Sequence, residues 1–368
     1  MLKVVDLMIC AAVSVAAATA APALAVKTPD LTPVVKRTEI AKDIYQFTVD
    51  SDGYVEQVNS TAIITDRDIL VFDTDIRPSS ARAILAQLRQ LTSKPVRYVV
   101  NSHWHPDHWM GNQVYAEAFP ELEIIATEDT REFMLNTVGM SNYWKSYLEG
   151  SERRFQAKMA TGKTVSGEAL TPEQLAKTAY DHYQFRDFVT ELSSARRTYP
   201  TLTYSHELVL RHGGREIHLM SFTGDAIGTT VLYLPNEKVL LTGDVVVYPL
   251  PTVGPTILQH VLAIRALEKL DWNVMVPGHG PAFHDRSYMA LEAEFMDEIA
   301  RQVVAAIRRG AATVEDVQSA VNVENFRNRF AQGNAAVAED FPDFVSAISR
   351  VAYLDAYDHQ ELHRQDLK

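Results

Sequence analysis

Four side chains that can bind a metal ion lie within six residues, in the run His103-Trp104-His105-Pro106-Asp107-His108. Imidazole nitrogens and carboxylate oxygens are good ligands for zinc, and iron or manganese can also be held by such a set. A single histidine on a strand is usually a packing or surface residue. Three histidines around one aspartate, in contrast, predict a metal site.

The flanking residues explain how the chain would present these ligands. Residues 96–100 (Val-Arg-Tyr-Val-Val) are typical of a short buried strand. In the extended segment that follows, alternation would turn His103, His105 and Asp107 to one side. Pro106 disfavours a helical conformation for His105, so the segment should stay open until Asp107 and His108 enter the next helix.

The run resembles the His-x-His-x-Asp-His motif of the metallo-β-lactamase-fold hydrolases, and the resemblance extends over Glu39 to Asp285. Three further segments match that family in order and spacing: Ile69-Leu70-Val71-Phe72-Asp73-Thr74, Thr242-Gly243-Asp244 and Pro277-Gly278-His279-Gly280. The resemblance implies an α/β fold of four layers, the αβ/βα metallo-β-lactamase sandwich, in which two mixed sheets pack together with helices outside. Periodicity alone would indicate only an α/β protein.

One position departs from the family pattern. The family usually places a histidine at a set interval before the proline of an apolar Tyr-Leu-Pro strand, and counting back from Pro235 reaches Asp225. A carboxylate is still a zinc ligand, but it is a harder donor and adds a negative charge. In the competing interpretation Asp225 only caps a turn, and the first metal is weak or absent. For the nearby His206 and His218 we expect ordinary packing or surface roles.

The resemblance also implies a ligand set for two metal ions. We expect zinc, with iron or manganese as the alternatives. The expected ligands are His103, His105 and Asp225 for the first ion, Asp107, His108 and His279 for the second, and Asp244 as the bridge. Such a pair of cations would hold a water between them, lower its pKa and polarise the bond under attack. Asp107 would be the catalytic residue that orients this water, and Asp73 would orient an imidazole from behind.

Composition and the N-terminus narrow the class of protein. The chain has 368 residues, 46% of them apolar and 22% charged, which is typical of a soluble enzyme with a sizeable core. A net charge of −12 argues against nucleic acid as the substrate and leaves a small molecule. Lys3, an apolar run at 7–21 and Ala23-Leu24-Ala25 predict a signal peptide over residues 1–25, hence a periplasmic or secreted protein without a stable membrane anchor. The only cysteine, Cys10, would be removed with it, which excludes the metallo-β-lactamase subclass whose second site uses cysteine.

Hydrophobic periodicity and turn residues divide the rest of the chain into predicted domains, strands and helices. Residues 26–285 are assigned to the metallo-β-lactamase-like domain, with a helical insert at about 128–199, and residues 286–368 to a helical C-terminal extension. Strands are predicted at 44–49, 54–64, 69–72, 123–126, 206–211, 216–221, 229–234, 239–241 and 273–276, and helices at about 80–91, 110–118 and 257–270. The serines at 79 and 80 suit a helix N-cap.

Two segments are candidates for the walls of the site. The insert would lie beside the metals as a lid, and its aromatic residues would either contact substrate or, in the interpretation that we favour, anchor the insert to the domain. These residues are Tyr143, Trp144, Tyr147 and Phe155. The rigid loop from Pro249 to Pro255 follows Asp244 and should form one wall of the pocket. The oligomeric state is left open.

The leading hypothesis is a secreted two-zinc hydrolase that cleaves an ester, thioester, lactone or β-lactam bond. The alternatives are a non-catalytic or mononuclear metal-binding protein with an altered first site, and an iron-dependent oxygenase on the same fold. The metal content of the purified protein and oxygen-dependent turnover would separate these hypotheses.

Overall fold

The structure is a computed structural model that describes residues 31–50, 58–136, 138–164 and 167–365, without the side chains of 50, 138–147 and 357–365. The elements from Thr32 onward belong to one compact unit. The signal peptide predicted at residues 1–25 lies outside the described residues. No helix among the described residues combines the length and the apolarity needed to cross a lipid bilayer.

The first β-sheet has seven strands that follow one another in chain order. They are β1 (Val34–Ala41), β2 (Ile44–Asp50), β3 (Ser60–Ile64), β4 (Ile69–Phe72), β5 (Val96–Val100), β6 (Glu123–Thr127) and β7 (Leu202–Tyr204). The pairs from β1 to β4 are antiparallel, and those from β4 to β7 are parallel. The sheet is therefore mixed, as the family resemblance implies.

The second sheet has five strands in the order β12-β11-β10-β9-β8. They are β8 (Glu207–His212), β9 (Arg215–Phe222), β10 (Thr229–Leu234), β11 (Val239–Leu241) and β12 (Val274–Val276). The pairs from β8 to β11 are antiparallel, whereas β11 and β12 are parallel. This sheet is mixed as well.

Helices cover the outer faces of both sheets. They are α1 (Pro78–Leu91), α2 (Asn112–Ala118), α3 (Glu128–Leu135), α4 (Val138–Thr161), α5 (Pro172–Ser194), α6 (Ile257–Leu267), α7 (Ser287–Arg308), α8 (Val314–Ala320), α9 (Glu324–Ala331) and α10 (Ala335–Gln365). Helices α3 to α5 fall in the predicted insert, and α7 to α10 in the predicted C-terminal extension. The boundaries of these domains remain a prediction.

Side-chain alternation along the strands builds the layers. Leu70 and Phe72 of β4 point into the core between the sheets, whereas Ile69 and Val71 pack against α1 and α2. In β11, Val239 and Leu241 face the first sheet, and Leu240 faces the helices α6 and α7. Since successive side chains of a strand point to opposite faces, both faces of these strands are apolar. The predicted four-layer αβ/βα sandwich is thus confirmed.

The start of α1 corrects one expectation. The helix begins at Pro78 with Arg77 as its N-cap, so the serines lie inside its first turn and do not cap it. The carboxylate of Glu191 on α5 instead accepts hydrogen bonds from the Ser79 backbone N–H and the Ser79 hydroxyl, and it pairs with the Arg77 guanidinium. A residue far along the chain thus satisfies this helix terminus and fixes the insert to the domain.

Candidate metal centre

The candidate ligands lie at the ends of strands, where the chain leaves the two sheets. His103 follows β5, Asp244 follows β11 and His279 follows β12, while Asp225 lies in the turn between β9 and β10. Such positions bring side chains from distant parts of the sequence to one edge of the sandwich. The sequence-predicted set of seven residues is gathered there in two groups.

The first group contains His103, His105, Asp225 and Asp244. The Asp225 carboxylate lies 3.1 Å from His105 Nδ1 and 3.7 Å from His103 Nε2. The Asp225 side chain is 4% exposed, so it faces the cluster and not solvent. Asp225 therefore occupies the place that the sequence comparison with the family assigned to it.

The second group contains Asp107, His108 and His279. Asp107 Oδ2 lies 3.3 Å from His108 Nε2 and 3.4 Å from His279 Nε2. Asp244 reaches both groups, because its Oδ1 is 3.4 Å from His108 Nε2 and its Oδ2 is 3.8 Å from His103 Nε2. A carboxylate with this placement suits a bridging role between two cations.

Asp73 lies behind the ligands, at the end of β4. Its Oδ2 accepts a hydrogen bond from His108 Nδ1 at 2.8 Å, and its Oδ1 accepts one from the Ser102 backbone N–H at 2.7 Å. His103 Nδ1 lies 3.0 Å from the Ser102 hydroxyl oxygen. A carboxylate can only accept, so the Asp73 contact assigns a ring proton of His108 to Nδ1 and directs Nε2 toward the cluster. A hydroxyl can donate or accept, so the Ser102 contact positions the His103 ring without assigning its tautomer.

Burial and charge act against each other in this cluster. Burial lowers the pKa of His103 to about 3, so this ring is neutral at pH 7. Burial also lowers the pKa of His108 and of His279, but the carboxylates of Asp244 and Asp107 outweigh it and hold both pKa values well above the usual one. Without a cation these imidazoles retain protons, and a metal would displace them.

The donor set fits metal ions. His103 Nε2, His108 Nε2, Asp225 Oδ1 and Asp244 Oδ1 are buried and have no hydrogen-bond partner among the described residues. Such orphaned atoms are costly unless something else binds them. Two ligands held by one zinc ion at its usual bond length lie about 3.3–3.6 Å apart in a tetrahedral arrangement. The distances between the facing atoms of the cluster are close to this value.

A cavity of about 1520 Å³ opens onto the cluster. His105, Asp107, Asp225, Asp244 and His279 of the cluster line it. Its walls include Ile76, Phe188, Val247, Leu250 and Val253. The loop predicted to form one wall, from Pro249 to Pro255, is therefore part of the pocket through Pro249, Leu250, Thr252 and Val253.

The sequence model of the metallo-beta-lactamase superfamily matches residues 53–279, which is more than half of the chain. The chain belongs to the metallo-beta-lactamase superfamily. A linear primary-alkylsulfatase of Pseudomonas sp. (strain ATCC 19151) is 26% identical to this chain over 220 residues, 58% of this chain and 39% of that protein. The alpha subunit of a 2,4-dinitroanisole O-demethylase of Nocardioides sp. (strain JS1661) is 27% identical over 270 residues, 72% of this chain and 64% of that protein.

Among solved structures, the stereoselective inverting sec-alkylsulfatase Pisa1 from Pseudomonas sp. has the same fold. It shares 18% sequence identity with this superfamily member at a TM-score of 0.57, over 87% of this chain and 50% of that chain. At this identity the likeness supports the fold alone. The chain spans 39% and 64% of the lengths of the two curated relatives described above.

The aromatic residues of the insert divide into two groups. Phe155 packs on His182 and Phe185, with ring centroids 5.3 Å and 5.6 Å apart, so these contacts join α4 to α5 within the insert. The side chains of Tyr143, Trp144 and Tyr147 lie outside the described residues. Phe188 of α5, which the sequence did not single out, lines the cavity from the described part of the insert.

The sequence interpretation also missed a buried polar layer beneath Asp244. His260 Nε2 donates to the Val245 carbonyl at 2.9 Å, and the Tyr288 hydroxyl donates to the Val247 carbonyl at 2.6 Å. Glu292 is fully buried on α7, and burial raises its pKa well above the usual value. Its position among apolar residues at helical spacing was a usable signal, because a glutamate there must be buried.

Proposed function

We propose that this superfamily member is a metal-dependent hydrolase that cleaves an ester-type bond at a two-metal centre. The observation that carries the proposal is the Asp244 carboxylate, which lies within 3.8 Å of imidazole nitrogens of both ligand groups. With both groups loaded, two divalent cations would lower the pKa of a shared water and polarise the oxygen of the bond under attack.

The residues of the chain have separate tasks in this proposal. His103, His105 and Asp225 would hold the first ion, and Asp107, His108 and His279 the second. Asp107 faces the cavity, so its carboxylate is placed to accept a proton from the attacking water and to orient it. The apolar walls exclude bulk water and bind the part of the substrate that does not react.

The substrate proposal covers carboxylic esters, thioesters, lactones and β-lactams, and the relatives add sulfate esters. Both alkylsulfatases named above act, by their names, on sulfate esters of alkyl groups. The other curated relative is by its name an O-demethylase, so an aryl methyl ether belongs in the same screen. Zinc as the metal and export to the periplasm or beyond are parts of the proposal.

The test compares metal content and turnover in the wild-type protein and Asp225→Ala. Elemental analysis without added metal should find two zinc ions per wild-type chain and one in the variant, because the variant lacks a ligand of the first ion. The wild type should hydrolyse at least one ester class in the screen. One ion or none in both proteins would contradict the two-metal mechanism and favour a mononuclear or non-catalytic protein. Iron together with oxygen-dependent turnover would favour the oxygenase.

A further inference from the structure

The cavity continues from the metal centre to the last helix of the structure. Val337, Asp340 and Phe344 of α10 line it. Their spacing of three, four and seven residues places them on one face of the helix. A segment outside the region matched by the superfamily model therefore contributes to the wall of the candidate active site.

The same face attaches α10 to the protein, because Val337 is buried in the helical core that also holds Phe341 and Ile348. Phe341, Ile348 and Ala352 are almost completely buried in the helical core that also contains residues of α7. Phe344 is only half-buried and packs at the edge of that core. Because Phe341 and Ile348 already anchor the helix, the side chain of Phe344 is available to contact a ligand in the cavity.

The cavity lining contains two chemically unlike groups of residues. One group is the carboxylates and imidazoles of the metal centre, and the other is apolar and includes Phe188, Leu250, Val253, Val337 and Phe344. The exposed charged residues of the lining are of mixed sign, Lys36, Glu39 and Asp340, so they form no cluster of one charge that would select an ionic group. A substrate with a reactive polar head and a long apolar body matches this arrangement.

We infer that α10 is a specificity element, on which Phe344 and Val337 bind the apolar body of an ester whose reactive group lies at the metal centre. This inference rests on the proposed function and narrows its substrate class to amphiphilic esters with an extended alkyl or ring system. The volume of about 1520 Å³ exceeds the usual range of small-molecule sites, about 300–1,000 Å³, which agrees with a long occupant.

The first experiment is a chain-length series. Hydrolysis of sodium n-alkyl sulfates and p-nitrophenyl n-alkanoates from C4 to C12, below their critical micelle concentrations, is measured for the metal-loaded full chain. Each buried methylene should raise kcat/KM about fourfold until the cavity is filled. Phe344→Ala should lower kcat/KM for the C10 and C12 substrates about tenfold to a hundredfold, through KM, and leave the C4 substrates almost unchanged.

Two further variants distinguish specificity from folding. Leu354→Ala alters an exposed residue of the same helix that does not line the cavity, and it should behave as the wild type at every chain length. Phe344→Trp fills part of the cavity and should move the optimum to shorter chains, which a general structural defect would not do. Equal activity at all chain lengths, or a Phe344→Ala profile matching that of Leu354→Ala, would overturn the inference.

A binding measurement separates this inference from the proposed function. Calorimetric titration with n-alkyl carboxylates from C4 to C12 places an anionic head at the metals and an alkyl chain in the cavity without any bond cleavage. Affinity that rises with chain length and falls in Phe344→Ala would support the inference even if no ester is hydrolysed. Hydrolysis without any chain-length dependence of binding would support the function and refute the role of α10.

Discussion

Replacing Asp73 by asparagine should weaken metal binding without removing any ligand. In the wild type both carboxylate oxygens of Asp73 accept hydrogen bonds, one from the Ser102 backbone N–H and one from His108 Nδ1. Asparagine has one acceptor oxygen, so its NH₂ group must face one of these two donors. The other outcome is that His108 changes tautomer and accepts from the amide, which places the ring proton on Nε2.

The change of tautomer determines how much metal affinity the variant loses. His108 Nε2 is the nitrogen that lies 3.3 Å from Asp107 and 3.4 Å from Asp244, inside the metal cluster. A protonated Nε2 cannot bind a cation, and keeping the original tautomer leaves two donors facing each other in a fully buried site. Loss of a hydrogen bond behind a metal ligand usually costs about 10–100-fold in affinity, or about 1.4–2.7 kcal/mol. We expect that range for the ion bound by His108.

The assay is a zinc titration against a chelator of known affinity, followed by elemental analysis. Asp68→Asn is the matched control, because the Asp68 carboxylate is also buried and accepts from a histidine, His212 Nε2, at 2.6 Å, away from the metal centre. Both variants should lose some thermal stability, but only Asp73→Asn should lose metal affinity. If Asp73→Asn binds both ions as tightly as Asp68→Asn, the assignment of His108 as an oriented ligand is wrong.

Two other substitutions test the close packing of the centre and the buried charge beneath it. A Cβ at Gly278 would lie 1.7 Å from Asp244 Oδ1, so Gly278→Ala should displace this carboxylate and reduce the metal content. Gly150→Ala is the control and should keep both ions, because a Cβ at Gly150 would lie 3.6 Å from the nearest atom. Burial raises the pKa of Glu292 in the folded protein above its usual value of 4.5. When the pH rises above 4.5, the unfolded chain therefore loses a proton that the folded protein keeps. The free energy of unfolding falls between pH 4.5 and the folded-state pKa for this reason. Glu292→Gln should remove this pH dependence. In that pH window the free energy of unfolding of the variant should rise relative to that of the wild type by up to about 1.4 kcal/mol per pH unit. Urea unfolding at pH 5 and pH 8 measures this difference in the free energy of unfolding. If the wild type and Glu292→Gln change equally between the two pH values, Glu292 is ionised in the folded protein.

Local signals in the sequence were sufficient for most of the fold. The predicted strands at 69–72, 229–234 and 239–241 have the observed limits, because apart from Thr229 and Thr230 they are apolar and almost all of their residues are buried. Strand β1 was missed because its central residues, Lys36 to Glu39, are exposed and charged or polar. Strand β7 was missed because it has only three residues, and of these only Tyr204 is buried. An edge strand of this kind is formed by pairing with a neighbour, which the sequence does not reveal.

The part of the site that depends on long-range contacts could not be predicted. The motif at 103–108 revealed its ligands because they are neighbours in the chain, and Asp225 was found only by its interval from another segment. Nothing local places Phe188, from the insert, and Phe344, from the last helix, in the lining of the same cavity. Likewise, the cap of α1 comes from Glu191, more than a hundred residues away. These contacts exist only after the layers have packed.

The departure at Asp225 is compensated by the backbone around it. A carboxylate oxygen is closer to its own Cα than the Nε2 of a histidine is, so an aspartate can reach the same ion only if its backbone comes nearer to the cluster. The turn is held in this position because the Asp225 backbone N–H donates to the Asp244 carbonyl at 3.3 Å. Gly254 packs directly on it, since a Cβ there would lie 2.4 Å from the Gly224 carbonyl oxygen and 2.6 Å from that of Asp225. A side chain at 254 would push the turn outward, so the absence of a Cβ there would let the short carboxylate at 225 reach the first metal ion of the proposed centre.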